Sequence, residues 1–166
     1  MTEHDFALTT GKADTTVSEI ADLIDQQAIR DLSHRYAVAL DRDDRETWAS
    51  LFSDDIVFES GDSVRGLDEV LRIPKEQLAR YKKTLHSVTT QQITLAGERA
   101  TGVVYCIAHH IYEDFHQNGR LPFDLSHNFL IRYEDDYART EGRWVFTRRR
   151  VVTEARYVNQ IIPAQE

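Results

Sequence analysis

The chain has 166 residues, 41% hydrophobic and 29% charged, which is the make-up of one globular domain long enough to bury a full core. Its formal charge of −8 argues against a nucleic-acid partner, whose phosphates would repel it, and against anionic membrane surfaces. Cys106 is the only cysteine, which excludes a disulfide framework and a thiolate metal site and fits a reducing compartment. With no apolar run of membrane-spanning length and no apolar signal core, the expected address is cytoplasmic.

Residues 1–16 are polar and irregular, and a disordered lead-in is expected there. From Val17 to Leu40 apolar residues recur at helical spacing: Ile20, Leu23 and Ile24, then Ile29, Leu32, Tyr36 and Leu40. A second helix is predicted over Arg45–Phe52, with Asp43 and Glu46 at capping-box spacing. A strand starts at Ile56–Phe58, a loop lies between Gly61 and Gly66, and two helical pieces follow at Leu67–Arg72 and Pro74–Lys82. The texture then changes. Thr84–Leu95, Ala100–Phe115, Phe123–Tyr137 and Arg143–Ala155 are long strand-like runs, rich in β-branched and aromatic residues and joined by glycine-bearing turns. Arg148-Arg149-Arg150 falls inside the last of them and reads as alternating side chains on a solvated face.

Helices followed by antiparallel strands define an α+β domain, a curved sheet with helices on one side whose mouth can hold a small molecule. One domain is expected over 17–157 with a tail at 158–166. The long strands carry more apolar surface than three helices can cover, so a homo-oligomer, dimer or trimer, is expected through the outer face of the sheet.

Asp41 is the odd residue of the helical half. It ends an amphipathic helix, where the partial negative charge of the terminus favours cations. A capping role for the next helix is one explanation, but the spacing of Asp43 and Glu46 already supplies a cap. An inward carboxylate needs a partner, and histidines are the candidates. His86 starts the first long strand; His110 lies on the next, sharing a face with Val104, Cys106, Ala108 and Tyr112. Its neighbour His109 points the other way. A lone strand histidine is ordinarily a satisfied core residue, but two on adjacent strands with an unexplained aspartate suggest an imidazole base, its orienting carboxylate and a second imidazole as acid. No nucleophile elbow, phosphate-binding glycine loop or dinucleotide fingerprint is present, and Cys106 in mid-strand reads as packing. The spacing of Asp41, His86 and His110 does not support a metal site, and no cofactor is expected.

These stretches are recognisable together. Ala39-Leu-Asp41, Trp48-Ala-Ser-Leu-Phe-Ser-Asp-Asp55, Leu85-His86, Tyr105-Cys-Ile-Ala-His-His110 and Tyr137-Ala-Arg-Thr-Glu-Gly-Arg-Trp144 resemble the SnoaL-like branch of the NTF2-like superfamily over about residues 20–157. Within it the chain looks closest to the group of scytalone dehydratase, hexachlorocyclohexane dehydrochlorinase and bile acid 7α-dehydratase. The resemblance implies a cone-shaped fold, a curved and mostly antiparallel sheet wrapped around N-terminal helices. It also implies elimination of water or HCl without a cofactor, by an Asp–His pair matching Asp41 and His86. Tyr36 and His110 match further polar positions of the group and would polarise an oxygen or protonate the leaving group. Ser126 and Asn128 do not fall at the substrate-holding positions by count. Arg149 matches a pocket position on the last strand, and two readings stand open: it holds a leaving group or substrate oxygen, or it is a solvated strand arginine.

The expected activity is thus a cofactor-independent lyase or isomerase for a small apolar cyclic molecule. Asp41 and His86 are expected within hydrogen-bond reach at a cavity lined from Tyr36, Trp48, Phe58, Val88, Ala108, Tyr112, Phe129 and Tyr133. The alternatives are a ligand-binding protein or oxygenase small-subunit-like module, and a polyketide cyclase or epoxide hydrolase.

Overall fold

Ile29, Leu32, Ser33, Tyr36, Ala37 and Leu40 follow one another at spacings a helix brings to one face, and that face is buried. The computed structural model describes the backbone of residues 3–116 and 119–162 and the side chains of 17–112 and 124–162. In it this helix, α1, spans Glu3–Arg42. It begins ahead of the expected Val17 and takes in most of the stretch expected as a lead-in; residues 1–2 lie outside the described residues. The buried stripe is shorter than the periodicity suggests, because Val17, Ile20, Leu23 and Ile24 are exposed. A turn containing Asp43, with φ of 54°, leads to α2 (Arg45–Ala49).

Among the described residues six strands form one sheet: β1 (Phe52–Ser60), β2 (Ser63–Arg65), β3 (Lys83–Ala96), β4 (Arg99–His116), β5 (Gly119–Thr140) and β6 (Arg143–Ile161). The order is β2-β1-β6-β5-β4-β3. Only the β1–β6 pair is parallel, which places the strand that follows α2 beside the last strand of the chain. The short helices α3 (Leu67–Val70) and α4 (Ile73–Arg80) lie between β2 and β3, with Pro74 in the first turn of α4 as its fixed φ favours. Between β5 and β6 the turn is two residues long, Glu141-Gly142, both with positive φ, the geometry whose twist matches a hairpin. In the glycine-bearing connection expected between Phe115 and Phe123, residues 117–118 lie outside the described residues. Strand β6 runs past the expected end at Ala155 and takes in the start of the expected tail; 163–166 lie outside the described residues.

Two tryptophans fasten the layers. Trp48 of α2 is fully buried, tilted against Tyr36 at 4.7 Å between centroids, and its Nε1 donates to the Val70 carbonyl at 3.1 Å, joining α1, α2 and α3. Trp144 donates to Asp25 at 3.1 Å, and Arg139, 4.9 Å above the Trp144 ring, pairs with the same carboxylate, so the β5–β6 hairpin grips α1.

Candidate active site

The capping of α2 decides what Asp41 is free to do. Asp44, not Asp43, is the N-cap: its side chain accepts from Thr47 N–H at 3.0 Å. Asp43 sits in the left-handed region and pairs instead with Arg45 at 2.9 Å. The cap is therefore one residue later than expected and is a single side-chain bond in place of a capping box, and Asp41 takes no part in either contact.

Asp41, in the last turn of α1, turns towards the start of β3. Its Oδ1 accepts from Thr84 Oγ1 at 2.8 Å and lies 2.7 Å from His86 Nδ1; its Oδ2 accepts from the His86 backbone N–H at 2.8 Å. Three donors from one strand end therefore converge on a single carboxylate. Burial pushes the Asp41 carboxyl pKa up, but the hydrogen bonds from His86 and Thr84 and the proximity of His86 outweigh it and hold the group below its usual range. An acceptor at Nδ1 assigns the proton to that nitrogen, which leaves Nε2 of His86 with its lone pair. The imidazole is almost enclosed, with 5% of its side chain exposed.

His86 and His110 line a cavity of about 850 Å³, within the range of small-molecule sites. The register explains their meeting: Thr84 pairs with His110 and His86 with Ala108, so the two imidazoles project from one face of neighbouring strands. Their rings stand nearly perpendicular, 5.7 Å between centroids. Tyr81 at 4.5 Å and Phe129 at 5.1 Å enclose His110, whose Nδ1 is buried without a partner. Burial, with the charges of His86 and His127 adding to it, pushes the His110 pKa down to about 4, so this ring is neutral at pH 7. The Tyr36 phenol also lines the cavity, and burial pushes it up to about 12, opposed by the nearby Arg149. It is a neutral hydrogen-bonding group.

Of the residues expected in the walls, Tyr36, Phe58, Phe129 and Tyr133 are there and four are not. Trp48 is in the core behind Tyr36, Ala108 is fully covered, Val88 packs against the core, and Tyr112 is half-buried away from the cavity.

Arg149 is a further correction, being neither solvated nor in the cavity. It is fully buried and bidentate to Asp135, Nε–Oδ1 2.8 Å and Nη2–Oδ2 2.7 Å. Its guanidinium carbon lies 4.1 to 4.2 Å from the ring centroids of Tyr36, Tyr133 and Phe146. The inner face was legible, since Val151 and Thr153 on that side do line the cavity. Arg149 lies one step deeper, roofed by the two tyrosines. Its flanking arginines behave as expected of a solvated face: Arg148 pairs with Glu59, and Arg150 with Glu134.

The wall absent from the sequence reading is built by α4 and β2, which contribute Ile73, Gln77, Arg80 and Arg65, with Tyr81 just beyond α4. Leu40 is a further lining residue, and its position four after Tyr36 on the same helix face was the available signal. Ser126 and Asn128 lie on the opposite face of the sheet, hydrogen-bonded to each other at 2.8 Å, with His109 on Asn128. Among the described residues no group of three or more histidine, cysteine, aspartate or glutamate side chains comes together as a metal site. No described helix is long and apolar enough to cross a membrane.

Helices against one face of a mostly antiparallel open sheet, with a hydrogen-bonded Asp–His pair at an apolar cavity, define the class: a cone-shaped NTF2-like fold. Residues 21–150 match the SnoaL-like domain, and the chain belongs to that family. No curated protein matches the chain in sequence. Among solved structures it is similar to a candidate scytalone dehydratase from Novosphingobium aromaticivorans, 20% identical with a TM-score of 0.71, covering 87% of this chain and 96% of that one. It is also similar to the type-3 hexachlorocyclohexane dehydrochlorinase LinA from Novosphingobium barchaimii, at 17% and 0.71, covering 89% and 99%. A protein of unknown function with a cystatin-like fold from Nostoc punctiforme aligns at 17% and 0.63, covering 79% and 92%. At such identities the likeness is one of fold.

Proposed function

We propose that this protein is a cofactor-independent lyase or isomerase that removes a proton from a small, largely apolar cyclic substrate. The observation that carries this reading is the Asp41–His86 pair at the cavity wall. A fold built only to bind or to fill an assembly has no use for an ionised carboxylate held by three donors behind an imidazole. The structural neighbours named for dehydration and dehydrochlorination support the same class of chemistry.

In the proposed cycle Nε2 of His86 takes the proton from carbon. Asp41 holds the imidazole in the required tautomer and stabilises the imidazolium that forms. Charge that develops on the substrate oxygen or leaving group falls to neutral donors, Tyr36 O–H and the His110 ring. With its pKa at about 4, His110 acts as a hydrogen-bonding group and not as an imidazolium acid at neutral pH. Apolar walls from Leu40, Phe58, Phe129 and Ile131 exclude water around the transferred proton.

The test is turnover of cyclic alcohols, halides and enones, measured with EDTA and without cofactor. His86→Gln should stay folded and lose about two to four orders of magnitude in kcat, since an amide cannot accept the proton. Asp41→Asn should lose a comparable amount, and the double variant little more, because both changes disable one unit. Unimpaired turnover by His86→Gln, or activity abolished by EDTA, would sink the mechanism.

A further inference from the structure

The charges around the cavity mouth are unevenly matched. Arg65, Glu76 and Arg80 are the arginine and carboxylate side chains that line it. Arg65 Nη1 is spent on Glu76 Oε2 at 2.9 Å, so those two cancel. Arg80 has no ion pair or side-chain hydrogen bond among the described residues. In a chain of net charge −8 an uncompensated cation at the mouth of an apolar cavity is a local reversal of sign. One turn earlier on the same face of α4, Gln77 also lines the cavity and is uncharged, so Arg80 is the cation of that face. The remaining walls are mostly aromatic and aliphatic, with the hydroxyls of Ser60 and Thr153 and the two imidazoles among them, and the proton-transfer pair belongs to α1 and β3, not to α4.

We propose that Arg80 is a cationic anchor on α4, and that the substrate is an apolar ring carrying a carboxylate, which Arg80 takes. This rests on the proposed function only in taking the cavity to be the substrate site. It specifies the substrate class as ring acids in place of neutral hydrocarbons or halocarbons. An arginine supplies paired N–H donors that fit a carboxylate, and a charge-assisted contact at an apolar mouth discriminates strongly against a neutral isostere. A cation at the end of α4 also suits the negative helix terminus, but that contribution is the same whatever ligand is bound.

Calorimetric titration of the full chain with 2-naphthoate and with its neutral counterpart 2-naphthamide reads the preference for a carboxylate directly. Wild type should bind the acid about tenfold more tightly than the amide at low salt, with the gap narrowing as ionic strength rises. Arg80→Gln should abolish the preference with unchanged amide affinity and a retained thermal transition, whereas Arg80→Lys should keep part of it. His86→Gln should leave the preference intact, so a chain that prefers acids yet catalyses nothing would refute the proposed reaction and not the anchor. No measurable binding of the acid, equal binding of acid and amide, or a preference that survives in Arg80→Gln would overturn the anchor.

Discussion

Asp135 and Arg149 show how much a single buried charge depends on its partner. Both side chains are fully enclosed, and Asp135 also accepts from Tyr137 O–H at 2.9 Å. Burial alone would lower the guanidinium pKa, yet Asp135 more than reverses that and raises it. Asp135→Asn should therefore cost about 3–5 kcal/mol in urea unfolding, because it leaves an arginine buried without a counter-charge. Replacing both partners, Asp135→Leu with Arg149→Met, should cost much less than the single change. A double variant as unstable as Asp135→Asn would contradict this account. His110 gives a prediction of the opposite kind. Its pKa in the folded chain is about 4, below the usual 6.5, so between these values the unfolded chain binds more protons. Stability contributed by the neutral ring is complete above pH 6.5 and is lost as pH falls towards 4. His110→Gln should flatten that part of a stability-against-pH curve while reducing kcat less than His86→Gln does.

At the scale of elements, short-range chemistry decides where pieces start, and close packing decides what can follow. Asp44→Ala should cost about 1 kcal/mol by removing the N-cap of α2, while Asp43→Gly, relieving a left-handed backbone at the expense of an exposed pair, should be nearly neutral. The reverse order in thermal unfolding would restore the capping box first read from the sequence. Gly102 on β4 is a packing requirement: a Cβ there would lie 2.9 Å from Ile93 Cδ1 and 3.0 Å from Tyr137 Cε2 and Oη. Tyr137 is fixed by Asp135 and cannot swing away, so Gly102→Ala should destabilise by about 1–3 kcal/mol in the same assay. These boundaries explain what was visible beforehand. Long strands and the main helix announce themselves by period, whereas a cap shifts by one residue with the φ of a single aspartate.

For the molecule as a whole, what could be read from the chain was direction, and what could not was depth. Alternation put His109 and His110 on opposite faces, and an aspartate without a cap pointed to His86 and His110; the hydrogen bond between Asp41 and His86 lies along that line, while the register that sets the two imidazoles on one face belongs to the pairing of β3 with β4. For Arg149 the same alternation left a pocket position and a solvated one both open, and neither anticipated that Tyr36 and Tyr133 would close over it. The walls from α4 and β2 depend on how two short elements dock between distant strands, which no local period encodes. The outer face has a consequence that follows from direction alone. Leu85, His109, Asn128 and Tyr157 are paired in one row across β3, β4, β5 and β6, and their side chains share the face turned away from the cavity. Leu85, Tyr105 and Tyr157 are large and exposed there, and no described helix covers them, since α1 packs on the cavity side. Apolar side chains grouped on a sheet face commonly mark an interface. Light scattering at micromolar concentration should therefore give a multiple of the chain mass. Leu85→Glu with Tyr105→Glu should lower that mass towards the monomer without removing the cavity, because both residues point away from it. A monomeric wild type would dismiss the interface, and an oligomer unaffected by the two charges would place it elsewhere.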